Sequence, residues 1–219
     1  MLFPPITPEY TASRIEIRYF YMPEFLTGNI ARMFIGGTRS QLLVASPPLD
    51  DPNFDRSVVY VIDHNDEGAI GVVINRPLAD PDLEPISRWS ELLTEPPVVF
   101  NGGPVDPSAL IALGVTHDTV DIEIEGAVQV ADRVWSIDLA GDPAIIAPHF
   151  AGIRIFSGYA GWSSGQLDAE IGAGGWIVVA AETNDVFGNQ PSDLWRRVLD
   201  RQPPPIKWLA NAPNDVSLN

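Results

Sequence analysis

The sequence predicts a single α+β domain whose sheet is mixed but largely antiparallel and flanked by helices. Three observations predict it. From residue 41 onward the apolar runs are short, often β-branched and bounded by turn residues, the pattern of strands. Helix-length segments fall among them without the regular alternation of a doubly wound parallel sheet. No self-similarity recurs at the period of roughly 20 to 50 residues that marks repeat architectures.

A chain of 219 residues forms one core without difficulty. Its sequence divides into an N-terminal leader over 1–38, the α+β domain over 39–202 and a Pro-rich tail over 203–219. In the leader, Arg14, Arg18 and Arg32 balance Glu9, Glu16 and Glu24, so the formal charge of −16 belongs to the rest of the chain. Leu26, Ile30, Met33 and Phe34 recur at helical spacing between Pro23-Glu24 and Gly36-Gly37, which predicts a short amphipathic helix. Its polar face carries only Arg32, so the apolar stripe is assigned to the core and not to a membrane surface. Residues 1 to 21 follow no pattern. Met22 is therefore a candidate start, which the N-terminal mass of the native protein checks.

Strands are predicted at Gln41–Ser46, Ser57–Asp63, Ala69–Asn75, Pro97–Phe100, Ala109–Gly114, Ile153–Phe156 and Trp176–Ala180. Asn101-Gly102 is the preferred pair for a tight turn with positive φ, so a turn is placed there. Pro77, Pro81 and Pro85 make the intervening stretch a surface connection without regular structure. Helices are predicted at Ser87–Leu93, Asp142–Phe150, Ser164–Ile171 and Ser192–Arg201. In the last, Ser192 is the expected N-cap, and Leu194, Trp195, Val198 and Leu199 form a buried face.

Composition restricts function. Hydrophobic residues at 45% and charged residues at 19% fit a globular chain. Thirteen basic residues, of which Lys207 is the one lysine, stand against twenty-nine acidic ones. Such a field opposes nucleic-acid binding, which draws its affinity from Lys and Arg neutralising phosphates. With no cysteine there is no disulfide, thiolate nucleophile or Cys-type zinc site, in keeping with a reducing cytoplasm. Met1 to Pro5 lacks the basic and apolar regions of a secretory signal, and the longest apolar runs, such as Trp176 to Ala181, are too short to span a bilayer. The expected location is the cytoplasm, with no membrane association.

Several segments resemble chemical motifs. Gly161-Trp162-Ser163-Ser164-Gly165 satisfies the G-x-S-x-G pattern of a nucleophile elbow, yet His64, His117 and His149 all precede Ser163, the reverse of the order that fold uses. The structural alternative is a glycine-bounded turn capping a helix. Asp51-Pro52-Asn53-Phe54-Asp55 begins like a calcium loop, but Arg56 stands where that loop needs glycine and Ile62 where it needs a bidentate Glu. A turn whose side chains bond their own backbone is the preferred reading. The histidines have no metal-binding spacing, and Lys207 has no glycine loop before it, so no metal site, P-loop or cofactor is assigned. Asp63-His64 and His117-Asp118 each place a carboxylate beside an imidazole, which chance also supplies in so acidic a chain.

Three glycine-polar segments remain: Glu67 to Pro77, Phe100 to Val105, and Phe156 to Leu167. Their glycines permit close backbone approach, while Arg76, Tyr159, Trp162 and Gln166 offer charge, stacking and hydrogen bonds for a shared cleft. The plainer and preferred reading of the segments by themselves is that the glycines serve turns and bulges, and that Tyr159 and Trp162 are core or rim aromatics.

With Leu42-Leu43-Val44-Ala45 and Asp51-Pro52-Asn53-Phe54, these segments resemble the YqgE/AlgH family of bacterial proteins across roughly residues 41 to 199. In order come His64 before Gly68-Ala69-Ile70-Gly71, Asn75-Arg76-Pro77-Leu78, Gly102-Gly103-Pro104-Val105, Gly158-Tyr159-Ala160-Gly161-Trp162, then Gly165-Gln166-Leu167 and Glu170. The resemblance implies a cytoplasmic protein with one α+β domain on a curved mixed sheet. It brings no reaction with it, and the family's label of transcriptional regulator names no DNA-binding element. Ser163 falls at a variable place in the family pattern. The expectation is a non-enzymatic regulatory domain that binds a small molecule or protein through Asn75, Arg76, Gly102, Gly103, Pro104, Tyr159, Trp162 and Gln166. The alternatives are a regulator acting directly on DNA and a serine hydrolase using Ser163.

Overall fold

The structure, a computed structural model, describes residues 18–19, 37–47, 49, 51–79, 84–119 and 122–212. The helix expected at 26–34, the start up to Met22 apart from 18–19, and the end of the tail at 213–219 lie outside the described residues.

Ten strands among the described residues form one sheet. They are β1 (Arg18–Tyr19), β2 (Gln41–Ala45), β3 (Val58–Asn65), β4 (Gly68–Val73), β5 (Val99–Asn101), β6 (Val105–Thr116), β7 (Ala127–Gln129), β8 (Val134–Ile137), β9 (Phe150–Ser163) and β10 (Trp176–Ala180). The spatial order is β10-β2-β3-β4-β9-β6-β8-β7, with antiparallel neighbours throughout. Two further pairings, β1 with β6 and β5 with β9, are parallel. The helices are α1 (Pro143–Ile146), α2 (Gln166–Gly172), α3 (Thr183–Phe187) and α4 (Leu194–Asp200), joined by 3-10 segments that include Glu84–Leu92 and Ile206–Asn211. This is the predicted α+β class, with a curled, mainly antiparallel sheet. No helix among the described residues is long and apolar enough to cross a membrane.

Apolar runs without polar alternation indicate strands buried on both faces, and β2 to β4 are of that kind. Successive side chains point to opposite faces. Leu42, Val44, Val58, Tyr60, Ile62, Val72 and Ile74 join one apolar cluster, which α4 covers with Leu194, Trp195, Val198 and Leu199. Leu43, Ala45, Val59, Val61 and Val73 join another on the reverse face, with Ala160, Trp162, Leu167 and Trp176. The α4 face is as the spacing predicts. Its start differs, because Pro191–Asp193 forms a 3-10 turn and Asp193, not Ser192, occupies the N-cap position.

Other departures have local causes. The expected helix over Asp142–Phe150 is α1 followed by a 3-10 turn at Ala147–His149, since Pro148 cannot continue an α-helical ladder. The helix expected over Ser87–Leu93 is a 3-10 segment over Glu84–Leu92, and it takes in Pro85, the end of the stretch expected to be irregular. Asn101-Gly102 makes no hairpin turn. Strand β5 lies on one edge of β9 and β6 on the other, so the chain crosses over β9 between them. In that crossing Gly102 N–H donates to the Ser157 carbonyl at 2.8 Å, and Val73 N–H donates to the Gly102 carbonyl at 2.8 Å.

Arg154, 1% exposed, links β9 to its surroundings. Its guanidinium donates to the carbonyls of Val186 at 2.6 Å, Glu95 at 2.7 Å and Gly188 at 3.0 Å, and lies 4.4 Å from the centroid of Phe100. Burial pushes its pKa down from the usual guanidinium value to about 10.

Candidate functional site

The reverse-face cluster opens to solvent where three elements meet. The Asp51–Arg56 turn brings Phe54, the end of β9 brings Trp162, and the start of β10 brings Trp176. Phe54 and Trp162 stack with centroids 6.4 Å apart and planes at 21°. Trp176 stands edge-on to both, at 5.3 Å from Phe54 and 6.0 Å from Trp162. These rings line a pocket of about 150 Å³, together with Leu49, Asp51, Pro104, Val105, Gly161, Gln166 and Glu170.

Helix α2 fixes the polar side. Gln166 and Glu170 are four residues apart and share one helix face. Glu170 Oε2 accepts from the indole N–H of Trp162 at 2.9 Å and of Trp176 at 2.8 Å, while Oε1 accepts from Gln166 Nε2 at 2.9 Å. One carboxylate thereby orients two nearly buried indoles. Gln166 Oε1 in turn accepts from Ser163 N–H and Oγ–H, both at 3.1 Å.

The expected cleft residues divide into three groups. Pro104, Trp162 and Gln166 line the pocket. Asn75 and Arg76 do not line it and instead brace the turn that ends at Arg56. Asn75 Oδ1 accepts from Val58 N–H at 2.9 Å and its Nδ2 donates to the Arg56 carbonyl at 2.9 Å. The Arg76 guanidinium donates to the carbonyls of Asn53 at 2.6 Å and Asp55 at 2.8 Å, so it secures the turn that carries Phe54. Gly102, Gly103 and Tyr159 belong to the chain crossing. A Cβ on Gly102 would meet the Gly158 carbonyl oxygen at 2.2 Å, and one on Gly103, at φ +148°, would meet the Tyr159 carbonyl carbon and oxygen at 2.4 Å. Tyr159 is half-buried against the α4-side cluster.

Leu49, Asp51, Phe54, Val105, Gly161, Glu170 and Trp176 were outside the expected cleft. Glu170 had a legible signal in its four-residue spacing from Gln166, whereas Trp176 read only as part of an apolar strand. The Asp51 turn forms as expected, with Asp51 Oδ1 accepting from Asn53 N–H at 2.8 Å.

Nothing in this geometry supports the hydrolase reading. Ser163 does end β9 just before the helix that starts at Gln166, but its hydroxyl donates to Gln166 Oε1 and not to an imidazole. His64, 7% exposed, is held elsewhere. Its Nδ1 accepts from Thr38 N–H at 3.3 Å and lies 2.9 Å from Thr38 Oγ1, which places the ring hydrogen on Nε2, 3.8 Å from Asp168 Oδ2.

Comparison with known proteins bears on the family and the fold. The family described as AlgH-like, DUF179, matches residues 42–207. A UPF0301 protein of Mycolicibacterium vanbaalenii is 43% identical over 179 residues, spanning 81% of this chain and 89% of that protein. One from Rhodococcus erythropolis is 41% identical over 179 residues, with the same coverage of 81% and 89%. A crystal structure of a Corynebacterium diphtheriae protein superposes with a TM-score of 0.75 at 30% identity, covering 87% of this chain and 100% of that one. The solution structure of the AlgH protein from Pseudomonas aeruginosa gives 0.55 at 28% identity, covering 73% and 86%. The sequence match and the shared sheet together mean that this chain belongs to the AlgH-like DUF179 family.

Proposed function

We propose that the chain is a non-enzymatic cytoplasmic binding domain with a regulatory role, and that its ligand or protein partner engages the pocket walled by Phe54, Trp162 and Trp176. The observation that carries this reading is the Glu170 carboxylate holding two indoles in fixed orientation at the edge of a solvent-open cavity. Preorganised aromatic walls lower the ordering cost of binding. The cavity is smaller than the roughly 300 Å³ at the lower end of drug-sized sites, which favours a side chain or a compact head group. Direct DNA regulation is not part of the proposal, because a chain of charge −16 repels polyphosphate.

A ligand that binds only the folded form raises the melting temperature. A screen of metabolites, nucleotides and short peptides tests the reading when run on the wild type and on Val105→Phe, which narrows the pocket from its 37% exposed rim. Stabilisation in the wild type that disappears in Val105→Phe is the expected result. A screen with no hits, or hits that persist in the variant, removes this pocket as the site.

A further inference from the structure

The geometry points to an organic cation of the alkylated ammonium type, as in a choline head group, as the occupant of the Phe54–Trp162–Trp176 pocket. This inference rests on the binding reading above and specifies its ligand class.

Three features of the walls converge on that chemistry. First, the rings supply π-faces, with indole the strongest among side chains, and a cation within about 6 Å of a ring centroid is attracted to it. The three rings pack on one another, with centroids 5.3 to 6.4 Å apart, and all three line the pocket, so a cation seated there lies against an aromatic cluster and not a lone ring. Second, the charged residues in the wall are Asp51 and Glu170, and neither Arg nor Lys lines the pocket. An anionic head group would face two carboxylates with no counter-charge in the wall.

Third, the state of the acceptors selects among cations. Glu170 already receives three N–H groups, and Asp51 Oδ1 receives Asn53 N–H. A primary ammonium carries three donors that need acceptors once water is stripped away, and a guanidinium carries five. Glu170 has little acceptor capacity left, and Asp51 Oδ2 is the one carboxylate oxygen in the wall that takes none of these bonds, too few acceptors for three or five donors. An alkylated ammonium brings charge and methyl surface with few or no donors to satisfy, so its desolvation leaves fewer unpaired groups.

The test follows the indole N–H resonances of Trp162 and Trp176 in the ¹⁵N-labelled full chain. Choline is titrated beside its uncharged isostere 3,3-dimethylbutan-1-ol and beside Nα-acetyl-lysine amide. Choline is expected to move both indole signals saturably, with a Kd at least roughly tenfold below that of either comparator. Asp51→Asn keeps the side chain's size and its acceptor for Asn53, and should weaken choline severalfold while leaving the alcohol unchanged, the rings and Glu170 retaining part of the preference; an unchanged choline Kd would overturn the role given to Asp51. Equal response to choline and the alcohol would overturn the cation assignment while leaving an apolar binding pocket. Tighter binding of the lysine derivative would overturn the preference for alkylated over primary ammonium. Silence of both indoles with choline would overturn the inference outright, and the fate of the wider binding reading is read separately from the Val105→Phe screen.

Discussion

Glu170 ties α2 to β9 and β10, and removing it gives a quantitative test of the site's construction. In Glu170→Ala the indole N–H groups of Trp162 and Trp176 lose their shared acceptor, although the rings are only 7% and 3% exposed. Hydrogen bonds to charged groups contribute about 1.5–3 kcal/mol each. Glu170 is half-buried, so the lower end applies, and the two indole bonds together come to about 3 kcal/mol. The bond from Gln166 lies in solvent and adds little. For a chain of this size each kcal/mol shifts the melting temperature by roughly 2–4 °C, so Glu170→Ala should melt about 6–12 °C below the wild type. Glu170→Gln retains one carbonyl oxygen that can accept from both indoles, without the charge, and should lose about half as much. Thermal unfolding followed by circular dichroism, with indole fluorescence as a second probe, gives both values. A loss under about 1 kcal/mol for Glu170→Ala, or a larger loss for Gln than for Ala, would refute the account of Glu170 as the clamp on both rings.

Three further outcomes follow from the same geometry. Gly103→Ala drives a Cβ into the Tyr159 carbonyl at a backbone angle that side chains rarely adopt, so chemical denaturation should show a loss of about 3 kcal/mol. Arg76→Ala removes two bonds to the turn bearing Phe54 and should cost about 1 kcal/mol, while speeding amide exchange across residues 53–56 by roughly fivefold and weakening any pocket ligand. Tyr60 is 1% exposed, and its hydroxyl has no hydrogen-bond partner among the described residues. Burial raises its pKa above 10.0, with nearby Arg39 opposing and Asp132 adding to the shift. The folded chain thus keeps a proton that the unfolded chain releases, so this contribution to stability is intact below pH 10.0 and is lost as pH rises above it. Tyr60→Phe should match or exceed the wild type by about 1 kcal/mol near neutrality and should lack that alkaline fall, as urea unfolding on either side of the transition will show.

Strand existence was legible wherever side chains carried the pattern. Leu42 to Ala45, Val58 to Ile62 and Trp176 to Ala180 are dense in β-branched or large apolar residues, and each forms a strand. Strands β7 and β8, at three and four residues, are too short to impose a period and went unpredicted. Strand β9 was truncated for the opposite reason. Gly152, Gly158 and Gly161 read as punctuation, yet they lie inside a 14-residue strand. Gly158 yields to the crossing segment, because a Cβ there would sit 2.6 Å from the Gly103 carbonyl oxygen.

The candidate site was half legible for a related reason. Glycine-polar segments mark where backbones approach closely, and such approaches occur at a chain crossing as well as at a ligand. Gly102 and Gly103 serve the crossing, whereas Trp162 and Gln166 line the pocket. Phe54 and Trp176 are 122 positions apart in sequence and meet only through the sheet, so no local signal pairs them.

Strand β9 is shared property. Its last residues, Ala160–Ser163, pair with β4, Ile155–Ser157 pair with β5, and β6 occupies much of its other edge. Neither half of the sheet can detach without stripping ladder bonds from the same strand. Denaturation should therefore proceed as one cooperative event in which the apolar clusters on both faces dissolve together. A polypeptide severed within β9 would leave two fragments, each deprived of the keel on which its own sheet closes.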